Sequence, residues 1–101
     1  MLYLSNSFSL STIPTDLLEL LRFENYPDSR FAGLVLVNDK FTSIVDCELD
    51  AQRLSQELNL QINANIRSVT LLNKDDALVI GNIDSKTNKV SFVLAYFDTD
   101  E

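Results

Sequence analysis

Apolar residues fall along this chain in short blocks, and the spacing within each block predicts a different kind of element. Leu2-Tyr3-Leu4 is a compact apolar run ended by Ser5-Asn6-Ser7, which reads as a short buried strand followed by a turn. Beyond Pro14, the segment Thr15 to Phe23 packs Leu17, Leu18, Leu20 and Leu21 densely enough for a short helix, with Asp16, Glu19 and Arg22 toward water. Asn25 to Ser29 predicts a loop, because the ring of Pro27 biases Tyr26 toward an extended backbone. Gly33 to Val37 is a continuous aliphatic and β-branched run before the turn-like Asn38-Asp39-Lys40, and it predicts a strand.

The pattern then changes period. Ala51, Leu54 and Leu58 recur at helical spacing while Asp50, Gln52, Arg53, Gln56 and Glu57 take the other side, so Leu49 to Leu58 predicts an amphipathic helix closed by Asn59. Asp46 or Asp50 near its start would complement the positive end of the helix dipole. Ile66 to Leu72 reads as a strand carrying Arg67, Asn73 to Asp76 as a turn, and Ala77 to Ile83 as the next strand. After the polar turn Asp84 to Lys89, Val90 to Phe97 is apolar on both faces and predicts a central strand, and Asp98 to Glu101 reads as an exposed tail. These elements define a mixed α/β fold: one small domain over residues 1–101, with a sheet of about five strands flanked by helices.

Composition narrows the chemistry. A chain of 101 residues with 46% apolar content suffices for one core and is too short for two. A domain of this size leaves much of its surface in water, so donating a further apolar face to a partner would help it; a homodimer is compatible with that size but not demanded by it. Eight basic against fifteen acidic side chains give a net charge of −7, which disfavours general nucleic-acid binding. A small anion held by local amides and one or two Arg remains compatible with that charge. Neither a membrane-spanning run nor a secretory leader is evident, and a single cysteine forms no internal disulfide, so a cytoplasmic protein is expected. With no histidine and one cysteine, the chain supplies neither a zinc site nor a Ser/His or Cys/His pair within one subunit. Adjacent Asp75 and Asp76 read as solvated turn acids, so no metal and no cofactor is expected.

Three stretches carry a resemblance. Phe41 to Ser55, FTSIVDCELDAQRLS, resembles the FTSAIGH-x-x-TAxLLS stretch of the viral ring nucleases, small archaeal-virus and phage proteins that act as type III anti-CRISPRs by destroying cyclic tetra-adenylate. The opening MLYLSNSFSL is similar to that family's first strand and Asn-Ser turn, with Asn6 and Ser7 on the matching positions. Asn65 to Ile80 is similar to its N-R-V-x-(β)-x-G-D-x-x-L pattern, with Asn65, Asp75 and Leu78 in step and Arg67 one place beyond the expected Arg.

The resemblance implies a small α/β homodimer with a cyclic oligoadenylate in a pocket spanning both subunits. It also implies metal-independent cleavage, in which a ribose 2′-hydroxyl attacks the neighbouring phosphate and a His protonates the leaving oxygen. Laid side by side without gaps, that His falls on Cys47. The family's Arg-x-x-Glu-Gly motif is replaced by Asp84-Ser85-Lys86-Thr87-Asn88-Lys89, where Lys86 is the candidate to supply the charge. A general acid contributes about 10²–10⁴-fold in rate, and a thiol with a pKa of about 8.5 is a poor donor. The expectation is a relative that binds or sequesters the ring with lost or weak cleavage and no assigned catalytic residue. Its candidate ligand contacts are Asn6, Ser7, Cys47, Arg67 and Lys86, with the amides around Asp46 to Glu48. The alternative is a non-catalytic acidic interaction protein on the same fold, an inhibitor of a nucleic-acid-binding or host defence protein.

Overall fold

A computed structural model describes residues 1–7, 13–65 and 75–98. In chain order, β1 (Leu2–Ser5) is followed by a 3-10 helix (Thr15–Leu20), β2 (Leu21–Asn25), α1 (Ser29–Asp39), β3 (Phe41–Ser43), α2 (Glu48–Leu58), β4 (Ala77–Ile83) and β5 (Val90–Phe97). The strands form one five-stranded mixed sheet in the order β2-β5-β4-β1-β3. Central β1 runs parallel to β3 on one side and to β4 on the other, with Leu4 opposite both Ser43 and Val79. The β4–β5 hairpin and the β5–β2 pair are antiparallel.

Strand alternation sorts the core into two layers. Leu2, Leu4, Val79 and Phe92 turn to one face, where Ala32 and Leu36 of α1 and Ala51, Leu54 and Leu58 of α2 cover them. Leu78, Ile80, Ala95 and Phe97 turn to the other, where Ile13 and Leu17 from the 3-10 helix region close it. Residues one apart point to opposite faces, so β4 and β5 must be apolar on both, as their sequences are. β5 lies between β2 and β4, the interior position expected of it.

Five strands stand among the described residues, as many as the sequence reading expected, but the membership differs. Gly33 to Val37, read as a strand, is the middle of α1. A short aliphatic run fits either period, and length and caps decide. Here Asp28 is the N-cap, its Oδ1 accepting from the Phe31 N–H at 2.8 Å. Ala32, Gly33 and Leu36 then share the buried face. At Gly33 α1 lies against the end of α2: a Cβ there would sit 3.4 Å from the Leu58 carbonyl oxygen, an ordinary contact.

Thr15 to Phe23, read as one helix, ends its helical part at Leu20, and Leu21 turns extended to begin β2. Pairing with Val93 to Phe97 outweighs the local helix preference of the leucines. Phe41–Ser43 adds a short edge strand that the sequence reading did not assign. α2 runs Glu48–Leu58 and stops at Asn59 in the left-handed conformation, φ 55°, one residue from the expected start and at the expected end. The proposed strand Ile66 to Leu72 lies outside the described residues. Among the described residues, no helix is long and apolar enough to cross a membrane.

Candidate ligand site at the ends of the parallel strands

The parallel trio β1, β3 and β4 presents its carboxyl ends at one edge of the sheet, and four of the five candidate residues follow those ends. Asn6 and Ser7 leave β1, the segment after β3 delivers Cys47, and the turn after β4 carries Lys86. Chain direction reverses sides about β1, because β3 and β4 flank it. In open α/β sheets such a place leaves a crevice beyond the strand ends. Arg67 lies outside the described residues.

Asn6 ties two of these ends together. Its amide nitrogen donates to Asp46 Oδ1 at 2.9 Å and to Asp50 Oδ2 at 2.6 Å, and its oxygen accepts from the Asp46 N–H at 3.3 Å. The turn after β1 is closed by Ser5, whose hydroxyl donates to the Ser7 carbonyl at 2.8 Å and accepts from the Ser7 N–H at 3.2 Å. The Asn65 N–H donates to the Val45 carbonyl at 2.7 Å, which brings the start of the third resembling stretch to the approach of α2. Ser43 reinforces this by donating to the Asn63 carbonyl at 2.6 Å.

Cys47 is the N-cap of α2, half-buried, and its side chain caps none of the first-turn N–H groups. A thiol accepts weakly, so those groups keep their capacity for an anion or water. Lys86 is exposed on a pre-ordered turn. The Lys86 N–H donates to Asp84 Oδ1 at 2.9 Å, and this bond, with help from Thr87, holds the Asp84 carboxyl below its usual range. Asn88 takes a left-handed φ of 57°, tolerable for Asn, and its N–H closes the turn on the Asp84 carbonyl at 2.7 Å.

The sequence reading placed Arg53 only on the polar face of α2 and did not anticipate its tertiary role. Its Nη2 donates to the Asn88 carbonyl at 2.8 Å, its Nε to Asn88 Oδ1 at 3.3 Å, and its Nη1 to Glu57 Oε2 at 3.0 Å. Glu57 also accepts from the Ser29 hydroxyl at 2.7 Å. That hydrogen bond, more than Arg53, holds the Glu57 carboxyl below its ordinary range, and partial burial opposes it. The i, i+4 spacing of Arg53 and Glu57 was visible in sequence, but their links to Asn88 and Ser29 required the fold.

The arrangement suits binding better than proton transfer. No imidazole exists anywhere in the chain, and the side chains meeting at Asn6 are carboxylates. Among the described residues, no group of three or more His, Cys, Asp or Glu is placed to hold a metal ion.

The fold and site define a small single-domain α/β protein with a mixed five-stranded sheet and a polar edge at the ends of its parallel strands. No family model and no curated protein matches this chain. Among solved structures it is similar to B116 of Sulfolobus turreted icosahedral virus. The TM-score is 0.76 over 94% of this chain and 97% of that one, at 15% sequence identity. The likeness shows a shared fold, and it is the fold of a small viral protein.

Proposed function

We propose that this protein is a ring-nuclease-like binder of a cyclic oligoadenylate, which it sequesters with lost or slow cleavage and so antagonises type III CRISPR signalling. The observation that carries the reading is the meeting at one sheet edge of the first two stretches that resemble the viral ring nucleases, with Asn65, the first residue of the third, beside them. Asn6 bonds to Asp46 and Asp50, and Asn65 bonds to Val45. That segments distant in sequence and similar to one family meet there supports the reading. The viral fold likeness over nearly the whole chain agrees with this source.

The missing imidazole argues for binding over turnover. Holding a ring needs shape, stacking and phosphate contacts, whereas cleavage also needs a proton donor matched to neutral pH. Calorimetric titration with cyclic tri-, tetra- and hexa-adenylate, followed by chromatography of each mixture, tests the proposal. The expected result is saturable binding of one ring size with the ring recovered intact, and absence of heat with every ring overturns it.

One observation favours the alternative of an acidic interaction protein. Asp46 and Asp50 both lie against the Asn6 amide, where a phosphate would approach the α2 N-terminus. A like charge about 4 Å away costs about 1 kcal/mol even in water. An acidic edge of this kind suits a basic surface of a host defence protein, and a null calorimetric result would turn the search there.

A further inference from the structure

Helix α1 buries Ala32, Gly33 and Leu36, and its opposite side carries Phe31, Leu34 and Val37, exposed by 47%, 58% and 56%. Three large apolar side chains at i, i+3 and i+6 on the outward side of a surface helix form one stripe, and contiguous exposure of this kind marks an interaction site. The Tyr26 ring packs on Phe31, centroids 5.3 Å apart. Tyr26 also lines, with Pro27, Asp28 and Ser91, a cleft of about 270 Å³, so the stripe runs into a concave end.

Charge is unevenly placed about this stripe. Asp28 and Asp39 stand eleven positions apart, close to three full turns, so both project from the same flank of α1, the one beside Phe31. Glu24 is near that flank too: burial raises the Tyr26 phenol above its ordinary range, and the carboxylates of Glu24 and Asp39 raise it further. Arg30 takes the other flank, beside Val37. Asp28 uses one oxygen to cap α1, Oδ1 accepting from the Phe31 N–H at 2.8 Å, which leaves its second oxygen for another donor.

We propose that this surface receives an amphipathic helix of a different protein, apolar along one face and basic along one edge, with an Arg of that helix seated in the cleft at Asp28 and a second basic residue at Asp39. A guanidinium suits the cleft because it stacks on an aromatic ring while donating to a carboxylate, and Tyr26 and Asp28 supply both. Apolar residues of the incoming helix, at the same helical spacing, cover Phe31, Leu34 and Val37. Charge selects this occupant. A second copy of the chain, at −7, or an anionic membrane would bring negative charge against the flank of Asp28 and Asp39, where a basic edge finds its complement. None of the nucleotide-contact candidates lies on α1, so the inference stands whether or not a nucleotide binds.

Fluorescence anisotropy with the full chain tests this, using a labelled synthetic helical peptide with leucines along one face and two Arg on one edge, spaced like Asp28 and Asp39. Wild-type protein should bind it saturably, and more weakly as salt rises. Leu34→Ser should weaken binding about tenfold, and Asp28→Asn with Asp39→Asn, which keeps an N-capping side chain, about fivefold, with unchanged far-UV spectra. Asp16→Asn with Glu19→Gln removes the same charge from the exposed 3-10 helix and should change little. A peptide of identical composition with its two Arg one turn apart should bind less well. Absence of binding, equal binding of the two peptides, equal losses from the two double variants, or full binding by Leu34→Ser would each overturn the assignment. So would self-association of the wild-type protein that Leu34→Ser abolishes, which would give the stripe to a second copy.

Discussion

Leu54 of α2 lies directly over Gly81 of β4: a Cβ built at position 81 would stand 2.6 Å from Leu54 Cδ2 and 3.2 Å from Phe92 Cε1. Leu54 is fully buried and Phe92 nearly so, and neither side chain has room to retreat. Gly81→Ala should therefore destabilise the fold by about 1–3 kcal/mol, the usual cost of overpacking. Leu54→Ala alone should cost about 2–5 kcal/mol through the cavity it leaves. In the double variant the new methyl enters that cavity, so urea denaturation should give a loss smaller than the sum. Strict additivity would show that the two residues do not share this space.

Asp50 is the prediction point for the ligand site. Its carboxylate lies 2.6 Å from the Asn6 amide nitrogen, and Asp50→Asn removes one negative charge while keeping a hydrogen-bonding side chain there. If a cyclic oligoadenylate phosphate approaches this edge, its affinity should rise about fivefold, equivalent to about 1 kcal/mol. The control is Asp16→Asn on the exposed 3-10 helix, which changes the net charge equally and should have little effect. Equal gains from both variants would mean that only long-range charge is felt.

Glu57 gives a pH signature. Its carboxyl is held below the ordinary 4.5, chiefly by the Ser29 hydroxyl and then by Arg53, against a desolvation that raises it. A carboxylate with a depressed folded-state pKa stabilises the fold fully above its unfolded value, and loses that contribution as pH falls through the folded one. The stability advantage of wild type over Glu57→Gln, read as a difference in urea midpoint, should thus hold at neutral pH and shrink once pH drops below about 4.5. A pH-independent difference would place the effect in packing rather than charge.

Cys47 occupies an N-cap position without capping it. Cys47→Ser supplies a hydroxyl that accepts from a first-turn N–H, and thermal unfolding should show a gain of about 0.5–1 kcal/mol. A loss instead would indicate that the half-buried thiol contributes more by packing than a cap would.

Much of this protein was legible from residue order. β1, α2, β4 and β5 follow from a run ended by Ser5-Asn6-Ser7, from Ala51, Leu54 and Leu58 at helical spacing, and from two strands joined by a polar turn. Each is governed by interactions within a few residues. The mixed α/β class follows from those elements and from length, and net charge, the absent imidazole and the single thiol are fixed by composition. Tertiary structure decided where local signals tied or conflicted. Gly33 to Val37 fits a helix or a strand equally well, and the burial of Ala32, Gly33 and Leu36 against a close-packed α2 selects the helix. Leu21 to Asn25 continues a helical composition yet becomes a strand, because β5 offers backbone partners about seventy positions away. The site shows the same division. The sequence named Asn6 and Cys47, but only folding put Asn6 against Asp46 and Asp50, and Arg53 against Asn88. Hydrogen bonds and contacts between distant segments depend on how the sheet is ordered, and no local spacing encodes that order.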